Sequence, residues 1–173
     1  MIPKIKRILY TTDLSPNSAY AFQYAINSAI NHDAKIIILH VFESLSRAAR
    51  AQMELYLDDE KRKDIFDERA SFVLDRIKKR LKAFSDKELE DYPKAEDRIE
   101  SIQVCEGFPA DMILEKVNEL ECDAIVMGTH GKGIIANAFL GSVAKRVLRR
   151  TRKPVFIIPL PRGEMNLTVH DEL

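Results

Sequence analysis

The sequence predicts an α/β protein: an open five-stranded parallel sheet with helices on both faces. Three observations predict it. Short apolar runs alternate along the chain with longer segments whose apolar residues recur every three or four positions, the pattern of a parallel sheet joined by helical crossovers. One run, "AKIIILHVF" from Ala34 to Phe42, is apolar on both of its alternating sides from Ile36 onward, except at His40, as suits a strand buried on both faces. Four of the six glycines fall within "GTHGKGIIANAFLGS", Gly128 to Ser142, directly after the apolar run "AIVM". In such sheets ligands bind beyond the carboxyl ends of the strands.

The elements follow in order. "RILYTT", Arg7 to Thr12, is the first strand. Ser15 then reads as an N-cap with Pro16 at the first helical position, and Ala19, Phe22, Ala25, Ile26, Ala29 and Ile30 recur at helical spacing. The second strand is "AKIIILHVF"; His40 within it reads as a core histidine with a local hydrogen bond. Segment 44–65 has a weaker pattern and reads as an insertion, either a loop or an extra helix. Phe66, Ala70, Val73, Ile77, Leu81 and Phe84 form one apolar helical stripe. "IESIQVCEG", Ile99 to Gly107, alternates imperfectly and is the third strand. "PADMILEKVNEL" is a short helix, "DAIVMG" the fourth strand, "GSVAKRVLRRT" a helix and "PVFIIPL" the fifth strand. One domain, residues 1–161, is expected, with a loose polar tail over 162–173.

Composition narrows the function classes. The formal net charge is +0, which argues against coating a duplex, because neutralising phosphates needs a basic excess. The run "KRVLRRTRK", Lys145 to Lys153, has six basic residues in nine but no interleaved aromatics for base stacking, and its arginines fall where cations complement a helix C-terminus. No nucleic acid partner is expected. Cys105 and Cys122 match no zinc spacing and read as reduced, mostly buried thiols. The N-terminus lacks a signal-like apolar stretch, and no window approaches the roughly 18 apolar residues of a membrane span. A cytoplasmic protein with no membrane contact is expected, and the terminal "HDEL" is read as chance.

The glycine-rich segment carries the chemistry. Gly128 and Gly131 open the loop after the fourth strand; Gly141-Ser142 stands at a helix start, after nine intervening residues. Glycine allows positive φ and close approach of a ligand to the backbone. The first amides of a helix lack internal partners, and its dipole favours negative charge there. A bent loop plus a helix N-terminus makes an anion cradle, to which Ser142 adds a hydroxyl and Lys145 and Arg146 positive field. The spacing is neither GxGxxG nor GxxxxGK[ST]. On the residues alone, phosphate binding and an ordinary turn with a helix cap stand level. Asp13, ahead of the first helix, could serve as a cap or as a ligand.

"GTHGKG…LGS" fits G-x2-G-x9-G-[ST] and resembles the ATP-binding branch of the universal stress protein family. "KRILYTTDLSPNS", "KIIILHVFE", "EGFPADMILE", "DAIVMGTHG" and "GSVAKRVLRRTRKPVFIIP" are similar to successive parts of that family, over most of residues 4–160. The resemblance implies the strand order 3-2-1-4-5. It implies ATP with Mg or Mn as ligand, with Asp13 near the ribose or the phosphate-bound metal and Thr11 and Thr12 beside it. Val41 would lie against the adenine, and Met127 and Gly128 on the pocket floor. His130, Gly131, Gly141, Ser142 and Val143 would hold the phosphates. Thr11 stands where similar members often have proline. His130 stands where many have arginine, which exchanges a permanent charge for a weaker or pH-sensitive one.

The expected function is thus a regulatory stress-response module whose ATP state biases dimerisation, through strand Val155 to Leu160, or contact with an unnamed protein partner. The alternatives are a slow ATPase and an interaction protein with a non-functional pocket. No catalytic residue is assigned. Related pyrophosphate-releasing enzymes carry SGGxDS after the first strand, and this chain has "TTDLSPNS" there.

Overall fold

The computed structural model of the chain describes residues 2–43, 47–88, 96–129 and 140–159. Five strands, β1 (Arg7–Thr11), β2 (Lys35–Glu43), β3 (Ile99–Gly107), β4 (Ala124–Gly128) and β5 (Val155–Ile158), form one sheet in the order β3-β2-β1-β4-β5. Every neighbouring pair is parallel. The helices are α1 (Pro16–His32), α2 (Arg47–Tyr56), α3 (Asp59–Glu88), α4 (Pro109–Glu119) and α5 (Ser142–Arg150), with a 3-10 turn at Glu96–Arg98.

Strand alternation divides the core into two layers. Ile8, Tyr10, Ile36 and Ile38 pack with Phe22, Ala25 and Ile26 of α1 and Val73 and Ile77 of α3. Leu9, Ile37, Leu39, Ile125 and Met127 pack on the opposite face with Ala110, Ile113 and Val117 of α4 and Ala144 and Val147 of α5. A strand loaded on both faces is a continuous apolar run, which is why "AKIIILHVF" shows no polar side. The imperfect alternation of β3 also has a cause. Pairing with β2 steps from Ile36↔Ile99 to Ile37↔Ser101, so Glu100 is an extra residue. That bulge shifts the parity and brings Ile99, Ile102 and Val104 onto one face.

Local signals set the helix ends. Ser15 Oγ accepts from the Ser18 amide at 3.2 Å, with Pro16 in the first turn of α1. The same helix ends at Asp33, in the left-handed region at φ 52°. The stripe starting at Phe66 marks the inner face of α3, but the helix begins at Asp59. Asp58 Oδ1 accepts from the Lys61 amide at 2.8 Å, and Asp59 and Glu60 occupy the first turn, where carboxylates complement the dipole. Segment 44–65 therefore holds α2 and the first turns of α3; residues 44–46 lie outside the described residues, as does the tail from 160 on.

Both cysteines are free thiols. Burial pushes the Cys122 thiol up to about 11 and raises that of half-buried Cys105. No helix among the described residues is long and apolar enough to cross a membrane.

Candidate functional site

In this strand order the topological switch point lies between β1 and β4, whose carboxyl ends diverge into separate loops. A cleft of about 900 Å³ opens there. Thr11, Thr12 and Asp13 come to it from the end of β1, Val41 from β2, Met127 and Gly128 from β4, and Gly141, Ser142 and Val143 from the start of α5. These nine predicted residues are separated in sequence by more than a hundred positions and line one cleft. His130 and Gly131 lie outside the described residues.

The β1 side is a tight turn. The Thr12 amide donates to the Leu39 carbonyl at 2.9 Å, and the Thr12 carbonyl accepts from His40 Nδ1 at 2.8 Å. Thr12 Oγ1 accepts from the Leu14 amide at 3.1 Å and lies 3.0 Å from Ser18 Oγ. Thr12 is thus engaged on all sides within the protein, and His40 is the core histidine that ties β2 to this turn. Asp13 Oδ1 accepts from the Ser15 amide at 3.0 Å, an Asx turn, while Leu14 sits at φ 65°. Ser15 caps α1, so Asp13 is not the helix cap. One of its carboxylate oxygens shapes the turn.

The β4 side has a different logic from the one its glycine suggests. A Cβ on Gly128 would lie 2.7 Å from Asn17 Nδ2 and 2.9 Å from Asn17 Cγ. Gly128 does not adopt positive φ; what it provides is room for Asn17, a 3% exposed side chain from the first turn of α1. Asn17 was not among the predicted site residues. Its signal, a polar residue in the N-terminal turn of an apolar helix, is not specific without its partner.

The α5 side supplies donors. The Gly141 amide donates to the Thr129 carbonyl at 2.8 Å, and the Thr129 amide to the Ile158 carbonyl at 3.1 Å, clamping the loop base to β5. The N-cap residue, Gly141, makes no side-chain cap, and no acidic residue stands in the first turn. Among the described residues, the first-turn amides of α5 therefore have no carboxylate or hydroxyl cap, at the cleft wall formed by Ser142, Val143 and Ala144. Its other end carries Arg149 and Arg150, and Arg150 pairs with Asp111 of α4.

No group of three or more His, Cys, Asp or Glu residues able to hold a metal occurs among the described residues. The donors at the α5 side of the cleft, the Asp13 carboxylate and the Ser142 hydroxyl, fit a hard divalent ion only when phosphate oxygens complete its shell. The volume lies within the roughly 300–1,000 Å³ usual for small-ligand sites.

An open parallel sheet in this order, with a cleft at its switch point and an uncapped helix start on the cleft wall, defines a Rossmann-like α/β protein. The universal stress protein family matches residues 4–159, and the chain belongs to that family. Universal stress protein MJ0531 of Methanocaldococcus jannaschii is 29% identical over 162 residues, 92% of this chain and 85% of its own. Universal stress protein MJ0577 of the same organism is 27% identical over 157 residues, 88% of this chain and 94% of its own. The solved structure of MJ0577 has a TM-score of 0.69 at 26% identity, covering 93% of this chain and all of that one, 100%. A universal stress protein solved in complex with cAMP shares the fold at TM-score 0.55 and 24% identity, covering 90% of this chain and 98% of that one.

Proposed function

We propose that the chain is an ATP-binding regulatory module whose nucleotide state biases its dimerisation or its contact with a partner. The observation that carries this reading is the uncapped N-terminus of α5 at Gly141-Ser142, lining the same cleft as Asp13. Helix-start amides and the dipole attract phosphate, and Ser142 adds a donor. Asp13 accepts from ribose hydroxyls or holds a phosphate-bound Mg or Mn. Val41 and Met127 offer apolar contact to the base. His130 and Gly131 take phosphate contacts in this reading, on the spacing that the sequence shares with the family. That a protein of this fold holds cAMP is consistent with the assignment.

Ser142→Glu tests it. A glutamate in the first turn of α5 favours the helix dipole, so the thermal midpoint should hold or rise slightly. The same charge repels the phosphates, so calorimetry with ATP and magnesium should show affinity lower by about tenfold or more. Unchanged affinity would move the phosphates elsewhere.

The site holds ATP rather than turning it over. Phosphoryl transfer needs positioned charge and an oriented nucleophile. Among the described residues lining the cleft, Asp13 is engaged in its turn, His40 Nδ1 donates to Thr12, and Glu43 and Glu68 stand on the α3 side, opposite the α5 start that takes the phosphates. ATP incubated with the protein and magnesium or manganese should be recovered intact, at turnover far below the roughly 1–10³ s⁻¹ of ordinary enzymes. Phosphate release within seconds under single-turnover conditions would make the protein an ATPase.

A further inference from the structure

The cleft does not stop at the residues just assigned. It crosses the carboxyl edge of the sheet to the other face, where α3 forms its wall. Arg69, Phe72 and Arg76 follow the spacing i, i+3, i+7 and so share one stripe of α3, and all three line the cleft together with Phe42 of β2. Phe72 is 65% exposed, an aromatic ring left in solvent on a cavity wall. The Arg69 guanidinium lies 4.7 Å from the centroid of the Phe42 ring. Arg76 is half-buried and forms no ion pair with a carboxylate among the described residues. Glu43 and Glu68 line the same half.

These groups have the chemistry to contact a second nucleoside phosphate. An exposed aromatic ring stacks a base whatever its identity. Guanidiniums take phosphate oxygens in pairs, and carboxylates accept from ribose hydroxyls or amino groups. The α5 half holds a helix N-terminus and apolar contacts; the α3 half holds a ring, two cations and two carboxylates. The two halves lie on opposite faces of the sheet's carboxyl edge, one walled by α5 and the other by α3, so each offers its own set of contacts. Building on the nucleotide reading above, we propose that the cleft accommodates two nucleosides joined by a phosphate chain, with the second base on Phe72 and the chain passing Arg69 and Arg76. Joining the two halves makes the second contact intramolecular, which raises affinity without any new contact type.

The test compares diadenosine tetraphosphate with ATP by calorimetry, both with magnesium, on the full chain and on Phe72→Ala and Arg76→Ala. Phe72 is solvent-exposed, so its truncation should leave the thermal midpoint unchanged, and the midpoint is measured for both variants. The wild type should bind the dinucleoside about tenfold or more tighter than ATP, and each variant should bring it to the ATP level with ATP affinity itself unchanged within about twofold. Equal affinities in the wild type would overturn the proposal and leave the nucleotide reading standing. Equal weakening of both ligands by the α3 variants would place the α3 wall in the mononucleotide site and overturn it as well. Absence of any ATP binding would remove both readings.

Discussion

At Gly128 the end of β4 passes against the Asn17 amide, so the side chain missing from one residue is filled by a side chain from the first turn of α1. Packing of this closeness has no slack for a methyl group: the added Cβ would meet two atoms of a planar amide at under 3.0 Å, well inside contact distance. Gly128→Ala should therefore destabilise the protein by about 1–3 kcal/mol in urea denaturation. In the double variant with Asn17→Ala the losses should sum to less than the two single losses, because the collision needs both partners. Additive losses would mean that the two residues do not share this contact. Thr12, by contrast, is held through its amide, carbonyl and hydroxyl, which keeps Asp13 in place at the cleft.

The N-terminus of α1 is the element on which Asp13 and Asn17 both depend. Ser15 Oγ caps it, and Ser18 Oγ donates back to the Ser15 carbonyl at 2.8 Å. Ser15→Ala leaves a helix-start amide without its acceptor and should cost about 1 kcal/mol, a fall of about 2–4 °C in thermal midpoint for a chain of this size. ATP affinity should fall with it, since the turn that carries Asp13 loosens. A lower midpoint with unaltered ATP binding would uncouple the cap from the site. Helix α3 shows the opposite balance. Its inner stripe at Val73 and Ile77 was readable by period, whereas its start depended on the single Asp58 cap, and α2 depended on no strong pattern at all.

For the whole molecule, the exposed margin at β5 is the consequential feature. β5 is an edge strand, and Phe156 on it is 38% exposed. An apolar edge invites pairing with another chain, and pairing of two copies about a twofold axis covers it. We expect a homodimer through the β5 edge, Val155–Ile158. Phe156→Lys, the kind of charge that blunts natural edges, should convert it to a monomer in sedimentation velocity at about tens of micromolar. A wild-type monomer at that concentration would count against the dimer. Because Thr129 is bonded to Ile158 and Gly141 to Thr129, the loop base at the cleft is tied to that edge. This supplies a physical route by which ligand and assembly could influence each other.

The sequence by itself determined the order of the five strands and of α1, α3, α4 and α5, the burial of β2 on both faces and the spacing of the glycine segment, because these are periodicities and local caps that each stretch carries alone. It also placed Thr11, Thr12, Asp13, Val41, Met127 and the Gly141-Ser142-Val143 start of α5 at strand or helix ends, where a parallel sheet gathers its loops. Only the tertiary structure decided the rest. The meeting of Gly128 with Asn17, the bulge at Glu100 that brings Ile99 into phase with Ile102 and Val104, and the placing of Arg69, Phe72 and Arg76 beside the cleft all join elements distant in the chain. No local pattern encodes such contacts, because each exists only once the sheet has set two remote segments side by side.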